Sequence, residues 1–348
     1  MERIDEPSRL VLDDVTAAVR MARSFLVGAQ LKNGRWLDFR YEKAISSHWV
    51  TAYVARSLID AGGAEPACDK ACTYLIANEM PGGGWAFSRA NPADGDSTAN
   101  VLDLLARARG KELREASIER VAKALLRFRD ASSGGFHTYR ADQASTPSDP
   151  LLYAGSGWCN THASVTAMAG CALYFADRER HGSLVEAGAR FVALSQSDPG
   201  FWEDYWWDGR TYGTYCAAHL LSLAGSWERV ARACTWLLAV QQPCGGWGNG
   251  MASGPTAFHT ALAVSTLLLD PEHRFGAATR RGVCWMLRAQ LSDGSWPSAP
   301  ILRMPRPDVQ SPWDDPQGGH LLPVLTDHNR LFTTATALTA LVAATGGV

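Results

Sequence analysis

Two carboxylates one residue apart, Asp94 and Asp96, open the segment Pro92-Ala93-Asp94-Gly95-Asp96-Ser97-Thr98-Ala99, just ahead of an apolar run. Burial raises a carboxyl pKa, and a neighbouring carboxylate raises one of the pair further. A carboxylic acid held protonated at neutral pH can serve as a general acid. Asp96 also keeps unusual company. Aligned on a recurrent threonine, the residues two positions earlier are Trp49, Asp96, Ser164, Tyr212, Phe258 and Phe332. Aromatic faces carry a negative quadrupole that holds cations. An acid set against such a wall, with water kept out, has the parts needed to protonate an alkene and hold the carbocation that follows. A plainer role fits the same residues: Asp at a helix start caps free N–H groups for about 1 kcal/mol, and repeated aromatics pack cores. The pattern alone leaves both open.

The elements that position these residues are repeats. A turn with glycine followed by an aromatic recurs as QLKNGRW to Trp36, MPGGGW to Trp85, DASSGGF to Phe136, SQSDPGFW to Trp202, QQPCGGW to Trp247 and QLSDGSW to Trp296. The intervals of 49, 51, 66, 45 and 49 residues each fit one helical hairpin. The glycine is expected to end the outer helix in a left-handed cap, and the aromatic to pack against the neighbouring hairpin. An inner helix then opens at Thr51-Ala52, Thr98-Ala99, Thr166-Ala167, Thr214, Thr260-Ala261 and Thr334-Ala335. Small residues there let six helix ends crowd together. The inner helices are apolar nearly all round, as a ring packed on both sides requires. The fold class that follows is all-α, an (α/α)6 barrel, with 1–348 as one domain. The aromatic-to-threonine interval is 12 to 15 residues in four repeats, 30 in the third and 38 in the sixth. These insertions, at about 137–160 and 297–330, read as long loops at the mouth where the inner helices begin, and long loops in a compact domain usually serve a site.

Composition narrows the function. The chain has 348 residues, 46% of them apolar, and a net charge of −2. No basic stripe stands ready to displace phosphate counterions, so nucleic-acid binding is excluded as the main task. The first residues are acidic and lack the order of a signal peptide, and no apolar run reaches the roughly 20 residues that span a bilayer. The eight cysteines, at 68, 72, 159, 171, 216, 234, 244 and 284, form no CxxC pair. They read as buried free thiols of a reducing compartment, hence a cytoplasmic protein.

The turn-plus-aromatic repeats resemble the QW repeats of squalene-hopene cyclases and the related barrels of protein prenyltransferase β-subunits. Pro92 to Ala99 resembles the class II terpene cyclase DxDDTA motif, whose middle aspartate protonates the substrate's terminal double bond; here that position is Asp96. Trp207-Asp208-Gly209-Arg210, with Tyr212-Gly213-Thr214 after it, resembles the cyclases' W-x-G-R…Y-G-T segment, and GGWGNG followed by TAFHTALAVSTLL resembles GGWGE…TAWAL. The likeness covers nearly the whole chain. It implies acid-initiated cyclisation or isomerisation of a polyprenyl chain or a prenylated small molecule. In that scheme Asp96 donates the proton, and Asp94 and Ser97 tune it. Trp49, Tyr212, Phe258 and Phe332 stabilise cations, while Trp158, Trp206 and Trp207 add to the wall. Arg210 holds a polar head group and His259 belongs to the substrate-binding set. No cofactor is implied, and Mg2+ enters only with a diphosphate substrate.

Two residues depart from the family pattern. The last aspartate of DxDD is Ser97, and the histidine that pairs with the acid is replaced by Met168, leaving His162 a turn earlier as its substitute. Class II cyclases usually form the cavity between two barrels; with one, the roof must come from the insertions, a homodimer or another partner. The departures favour a second reading, a non-catalytic prenyl- or peptide-binding barrel. A zinc prenyltransferase-like protein needs Asp, Cys and His ligands. His259 falls near the expected histidine, yet Thr214 stands two before Cys216 where the aspartate should be, so no metal site is expected. A carbohydrate-active (α/α)6 enzyme would need a second acid, which Glu203, Asp204 or Asp208 would supply.

Overall fold

Segments such as VTAYVARSLI, HTALAVSTLLL and LFTTATALTALV have no polar face, so they are stable only where neighbours cover them on every side. A computed structural model, which describes residues 6–110, 114–143, 152–250, 254–314 and 324–346, shows how they are covered. Six hairpins follow in order. They are α1 (Glu6–Gly28) with α2 (His48–Ala61), α3 (Glu65–Ala77) with α4 (Gly95–Arg107), and α5 (Glu115–Leu125) with α6 (Ala163–Ala176). Then come α7 (Arg178–Leu194) with α8 (Thr211–Leu223), α9 (Trp227–Ala239) with α10 (Ala257–Leu267), and α11 (Gly276–Ala289) with α12 (Leu331–Ala344). The even-numbered helices pack side by side in sequence, and α12 packs back on α2. The ring is closed, and the fold is the (α/α)6 barrel.

The repeated residues turn out to be a hydrogen-bond device. The threonine hydroxyl accepts the backbone N–H of its aromatic: Thr51 from Trp36 at 3.0 Å, Thr98 from Trp85 at 3.1 Å, Thr166 from Phe136 at 2.8 Å. Thr214, Thr260 and Thr334 do the same for Trp202, Trp247 and Trp296 at 3.1, 3.0 and 3.3 Å. Threonine is there for its oxygen, not only for its size. Each indole N–H donates to the outer-helix carbonyl ten residues earlier, as from Trp36 to Leu26 at 2.7 Å and from Trp296 to Met286 at 2.8 Å.

The glutamines link one hairpin to the next. Gln30 donates to Ala67 of α3 at 2.8 Å, Gln196 to Arg229 of α9 at 3.0 Å and Gln241 to Ala278 of α11 at 2.9 Å. Gln290 donates to Ala18 of α1 at 3.0 Å and so closes the circle. The turn glycines are not helix caps as expected. Gly34 lies six residues beyond the end of α1, at φ +92°, where a Cβ would meet the Lys70 carbonyl at 2.4 Å; Gly294 would meet that of Met21 at 2.4 Å. Positive φ and close approach of the next outer helix both exclude a side chain there.

Two short antiparallel ribbons depart from the all-α expectation: β1 (Asp38–Tyr41) with β2 (Ala44–Ser46), and β3 (Pro300–Leu302) with β4 (Leu325–Thr326). The first has a structural task. Asp38 accepts the N–H groups of Asn329, Leu331 and Phe332 at 3.0, 2.9 and 3.3 Å, capping α12 from the first repeat.

Candidate active site

Asp94 and Asp96 divide the two roles that their sequence left open. α4 starts from extended backbone at Asp94 (φ −128°, ψ 158°), whose carboxylate accepts the Ser97 N–H at 2.6 Å, the Ser97 hydroxyl at 2.8 Å and the Phe87 N–H at 3.0 Å. Asp94 is the cap, and Ser97 acts on Asp94 rather than on Asp96. Burial raises the Asp94 pKa to about 7 against the pull of those donors. Asp96 sits in the first helical turn with its carboxyl turned to a cavity. Among the described residues its one hydrogen bond is a long 3.4 Å contact from the Asn100 amide. Burial, then the carboxylates of Asp94 and Asp204, raise Asp96 to about 8. Those terms outweigh the helix N-terminus, which favours charge, so Asp96 holds its proton at pH 7.

The cavity, of about 100 Å³, has Asp94, Asp96 and Ser97 on one side. Trp49, Phe87, Tyr139, Trp158, Trp206 and Trp207 supply aromatic surface, and Leu302 and Met304 aliphatic surface. The rings are locked to one another: Trp158 meets Trp206 edge-on at 5.2 Å and stacks on Tyr139 at 5.9 Å. Trp206 donates its indole N–H to the Thr138 hydroxyl at 2.8 Å. Trp207 stacks on Tyr212, Phe332 and Phe258 at 4.1, 4.9 and 5.4 Å. Those three rings, 0 to 3% exposed, therefore lie behind Trp207 and not on the cavity surface. Of the aromatics expected to form a wall, Trp49, Trp158, Trp206 and Trp207 line the cavity, whereas Tyr212, Phe258 and Phe332 do not.

Three expected residues lie elsewhere. His162 is buried and stacked on Tyr205 at 4.6 Å, does not line the cavity, and is driven by burial to a pKa of about 3. It has no contact with Asp96 through which to replace the histidine lost at Met168. Arg210 lines a different cleft, of about 370 Å³, with Glu203, Asp208, Asn249, Arg303 and Trp313, and His259 lines neither. Arg210 pairs with Glu203 at 2.9 Å and lies over the Phe201 ring at 4.3 Å. His259 is held by the Asp208 carbonyl at 3.2 Å, which makes Nε2 the donor, and by the Thr256 hydroxyl at 2.7 Å on Nδ1. Glu203 and Asp208 are paired with Arg210 and Arg303, so neither faces Asp96 as the second acid of a glycosidase.

Residues that sequence reasoning missed come mostly from the insertions. Thr138, Tyr139, Leu302 and Met304 line the cavity; the long threonine intervals marked their loops but not these side chains. The two insertions bind each other across the mouth, Gly157 N–H to Pro307 at 2.7 Å and Trp158 indole N–H to Pro305 at 2.8 Å, and the Tyr205 hydroxyl, from the segment before α8, donates to Val309 at 3.0 Å. Residues 144–151 and 315–323 of these insertions lie outside the described residues. Asp204, taken only as a carbohydrate-enzyme alternative, instead accepts the N–H groups of Trp206 and Trp207 at 2.9 and 3.1 Å. Among the described residues no three His, Cys, Asp or Glu are grouped to hold a metal, and no helix is long and apolar enough to cross a membrane. Five of the eight cysteines are buried, Cys159 and Cys284 are partly so, and Cys244 is exposed.

The sequence model of the squalene-hopene cyclase C-terminal domain matches residues 45–304. The chain belongs to that family. Curated relatives include a squalene-hopene cyclase of Zymomonas mobilis, 25% identical over 73% of this chain and 44% of its own length. A drimenyl diphosphate synthase of Streptomyces showdoensis is 30% identical over 70% of this chain and 44% of its own. The chain thus spans less than half the length of these family members. A solved structure matches end to end: the type II terpene cyclase MstE from Scytonema, an Arg-to-Ala variant in complex with geranylgeranyl dihydroxybenzoate. It has a TM-score of 0.83 and 27% identity, over 98% of this chain and 100% of that one. Within the squalene-hopene cyclase family this chain is class II terpene cyclase-like, and its described residues form one barrel.

Proposed function

We propose that this protein is an acid-initiated terpene cyclase of the class II type, an isomerase acting on a polyprenyl or prenylated substrate. The observation that carries the reading is Asp96: a carboxyl raised to about 8, in an aromatic-walled cavity, with one long hydrogen bond of its own. A terminal alkene seated over Asp96 takes its proton. The π pair forms the new C–H bond, the more substituted carbon becomes cationic, and the next alkene closes a ring onto it. Trp49, Trp158, Trp206 and Trp207 face the migrating charge with their π surfaces. Loss of a proton to a base or to water ends the sequence. Asp94 and Asp204 act through their charge, which keeps the Asp96 proton in place until an alkene arrives.

The relatives suggest the substrate class: MstE is described with geranylgeranyl dihydroxybenzoate, and others are named for squalene-hopene and drimenyl diphosphate chemistry. All three are isoprenoid; where the substrate carries a diphosphate or dihydroxybenzoate head group, this reading puts its tail in the cavity and that group toward the mouth. The chemistry uses no cofactor, with Mg2+ entering only beside a diphosphate. In this reading 1–348 is one catalytic domain, its roof formed by its own insertions, so that a homodimer has no task at the cavity. The buried free thiols of Cys68, Cys72, Cys171, Cys216 and Cys234 accord with a cytoplasmic setting.

The test is incubation in heavy water with farnesyl diphosphate, geranylgeranyl diphosphate, geranylgeranyl dihydroxybenzoate and squalene, read by mass spectrometry. A cyclic product with one deuterium is expected from the protein, and none from Asp96→Asn, a loss of at least about 10³-fold. Full turnover by a folded Asp96→Asn removes Asp96 as donor.

A further inference from the structure

Tyr212, Phe258 and Phe332 do not line the cavity that holds Asp96, whereas Trp207 does. Its indole covers Tyr212 at 4.1 Å, Phe332 at 4.9 Å and Phe258 at 5.4 Å, and meets Trp49 edge-on at 6.0 Å. It thus touches residues from the first turns of α8, α12, α10 and α2. The side chain is 3% exposed and the rings beneath it are covered.

The backbone that carries Trp207 is tied on both sides. Its N–H donates to Asp204 at 3.1 Å, and it forms an isolated β-bridge to Leu302. The next N–H, of Asp208, donates to the Ile301 carbonyl at 2.8 Å. Arg303 then grips the segment with two bonds, to the Asp204 carbonyl at 3.2 Å and the Asp208 carboxylate at 3.1 Å. Swinging the indole aside would break this set and uncover the stacked rings. The room left above it, about 100 Å³, is below the roughly 300–1,000 Å³ of pockets that enclose a drug-sized ligand.

We propose that Trp207 is the floor of the cavity and the residue that limits substrate length. Asp204 is a positioning residue for that floor, through its bonds to the Trp206 and Trp207 amides. This rests on the reading of the cavity as a prenyl site, and it goes further by naming what limits the chain. A longer tail has to stop at the indole, whereas a smaller side chain opens the space over Tyr212, Phe258 and Phe332.

Binding tests the proposal without needing turnover. In the Asp96→Asn background, dissociation constants are measured for farnesyl and geranylgeranyl diphosphate, which share a head group, so their ratio reads the tail alone. The unaltered floor is expected to favour farnesyl. Trp207→Leu should shift the ratio toward geranylgeranyl by about tenfold or more, the scale at which an apolar pocket discriminates on size. Trp207→Phe, which keeps a ring and is the gentler change should the Leu variant not fold, should shift it less and in the same direction. An unchanged ratio in either folded variant, with binding intact, overturns the floor and leaves the cyclase reading standing. Failure of both diphosphates to bind before Trp207 is altered overturns the prenyl site itself.

Discussion

Asp96→Asn should abolish turnover and at the same time make the protein more stable, a pairing that an ordinary helix-start aspartate would not produce. The carboxyl has an ordinary pKa of 3.8 and stands at about 8 in the folded chain. At pH 7 the unfolded chain carries Asp96 ionised, and folding must take up a proton. Holding that proton costs about 1.4 kcal/mol for each pH unit above the unfolded value. Over about three units the ceiling is about 4 kcal/mol, and coupling to Asp94 and Asp204 brings the expected gain to roughly 1–4 kcal/mol. The sign follows from proton counts: the folded state binds more protons between pH 3.8 and 8, so stability falls as pH rises through that window. Asparagine fills the same space without a proton to hold. Urea unfolding at pH 4 and pH 7 reads the difference. The two proteins should be nearly equal at pH 4, with the Asn variant ahead at pH 7. A stability difference between the two proteins that does not move toward the Asn variant from pH 4 to pH 7 would mean that folding does not raise the Asp96 pKa, and the general-acid argument would be refuted.

Two further outcomes are expected. With a productive substrate, kcat/KM should hold from pH 7 to about 8 and then fall toward tenfold per unit as Asp96 loses its proton; a value that climbs through pH 8 would assign a base instead. Gln290→Ala removes the donor to the Ala18 and Gly294 carbonyls and should lower stability by about 2 kcal/mol, seen as a lower urea midpoint, whereas an unmoved midpoint would show that the ring closes without it.

The barrel was legible because its signals repeat: six aromatics and six threonines at matched spacing specify a ring before any contact is known. Their meaning was less so. Thr51 and its equivalents could be read as small residues, and only the geometry shows a hydroxyl under each aromatic amide. The ribbons at Asp38–Tyr41 and Pro300–Leu302 are too short to leave a period of two, and their partners lie across loops. At the site, Asp96 was found from a break in an aromatic pattern, and Trp49 from the pattern itself. Adjacent tryptophans 206 and 207 carry no signal of direction, so nothing in the sequence said that the second would lie over Tyr212, Phe258 and Phe332. Arg210 and His259 were misplaced for a related reason. Neighbourhood in a motif put Arg210 near Trp207, whereas the chain leaves the cavity after Trp207, and Asp208, Gly209 and Arg210 line the other cleft; His259, on α10, packs against Asp208.

The bonds that close the ring join residues 272 to 294 positions apart: Gln290 to Ala18, and Asp38 to Leu331 and Phe332. On the ribosome, α1 and α2 are therefore made long before α11 and α12, which complete their surroundings. Until then the nascent chain is an open arc with apolar edges at both ends, the kind of surface that aggregates or recruits a holdase. Closing so long a loop is slow, and the cap that Asp38 places on α12 rewards only the final docking. The first repeat is thus both the earliest part of the barrel to be synthesised and among the last to be fully folded.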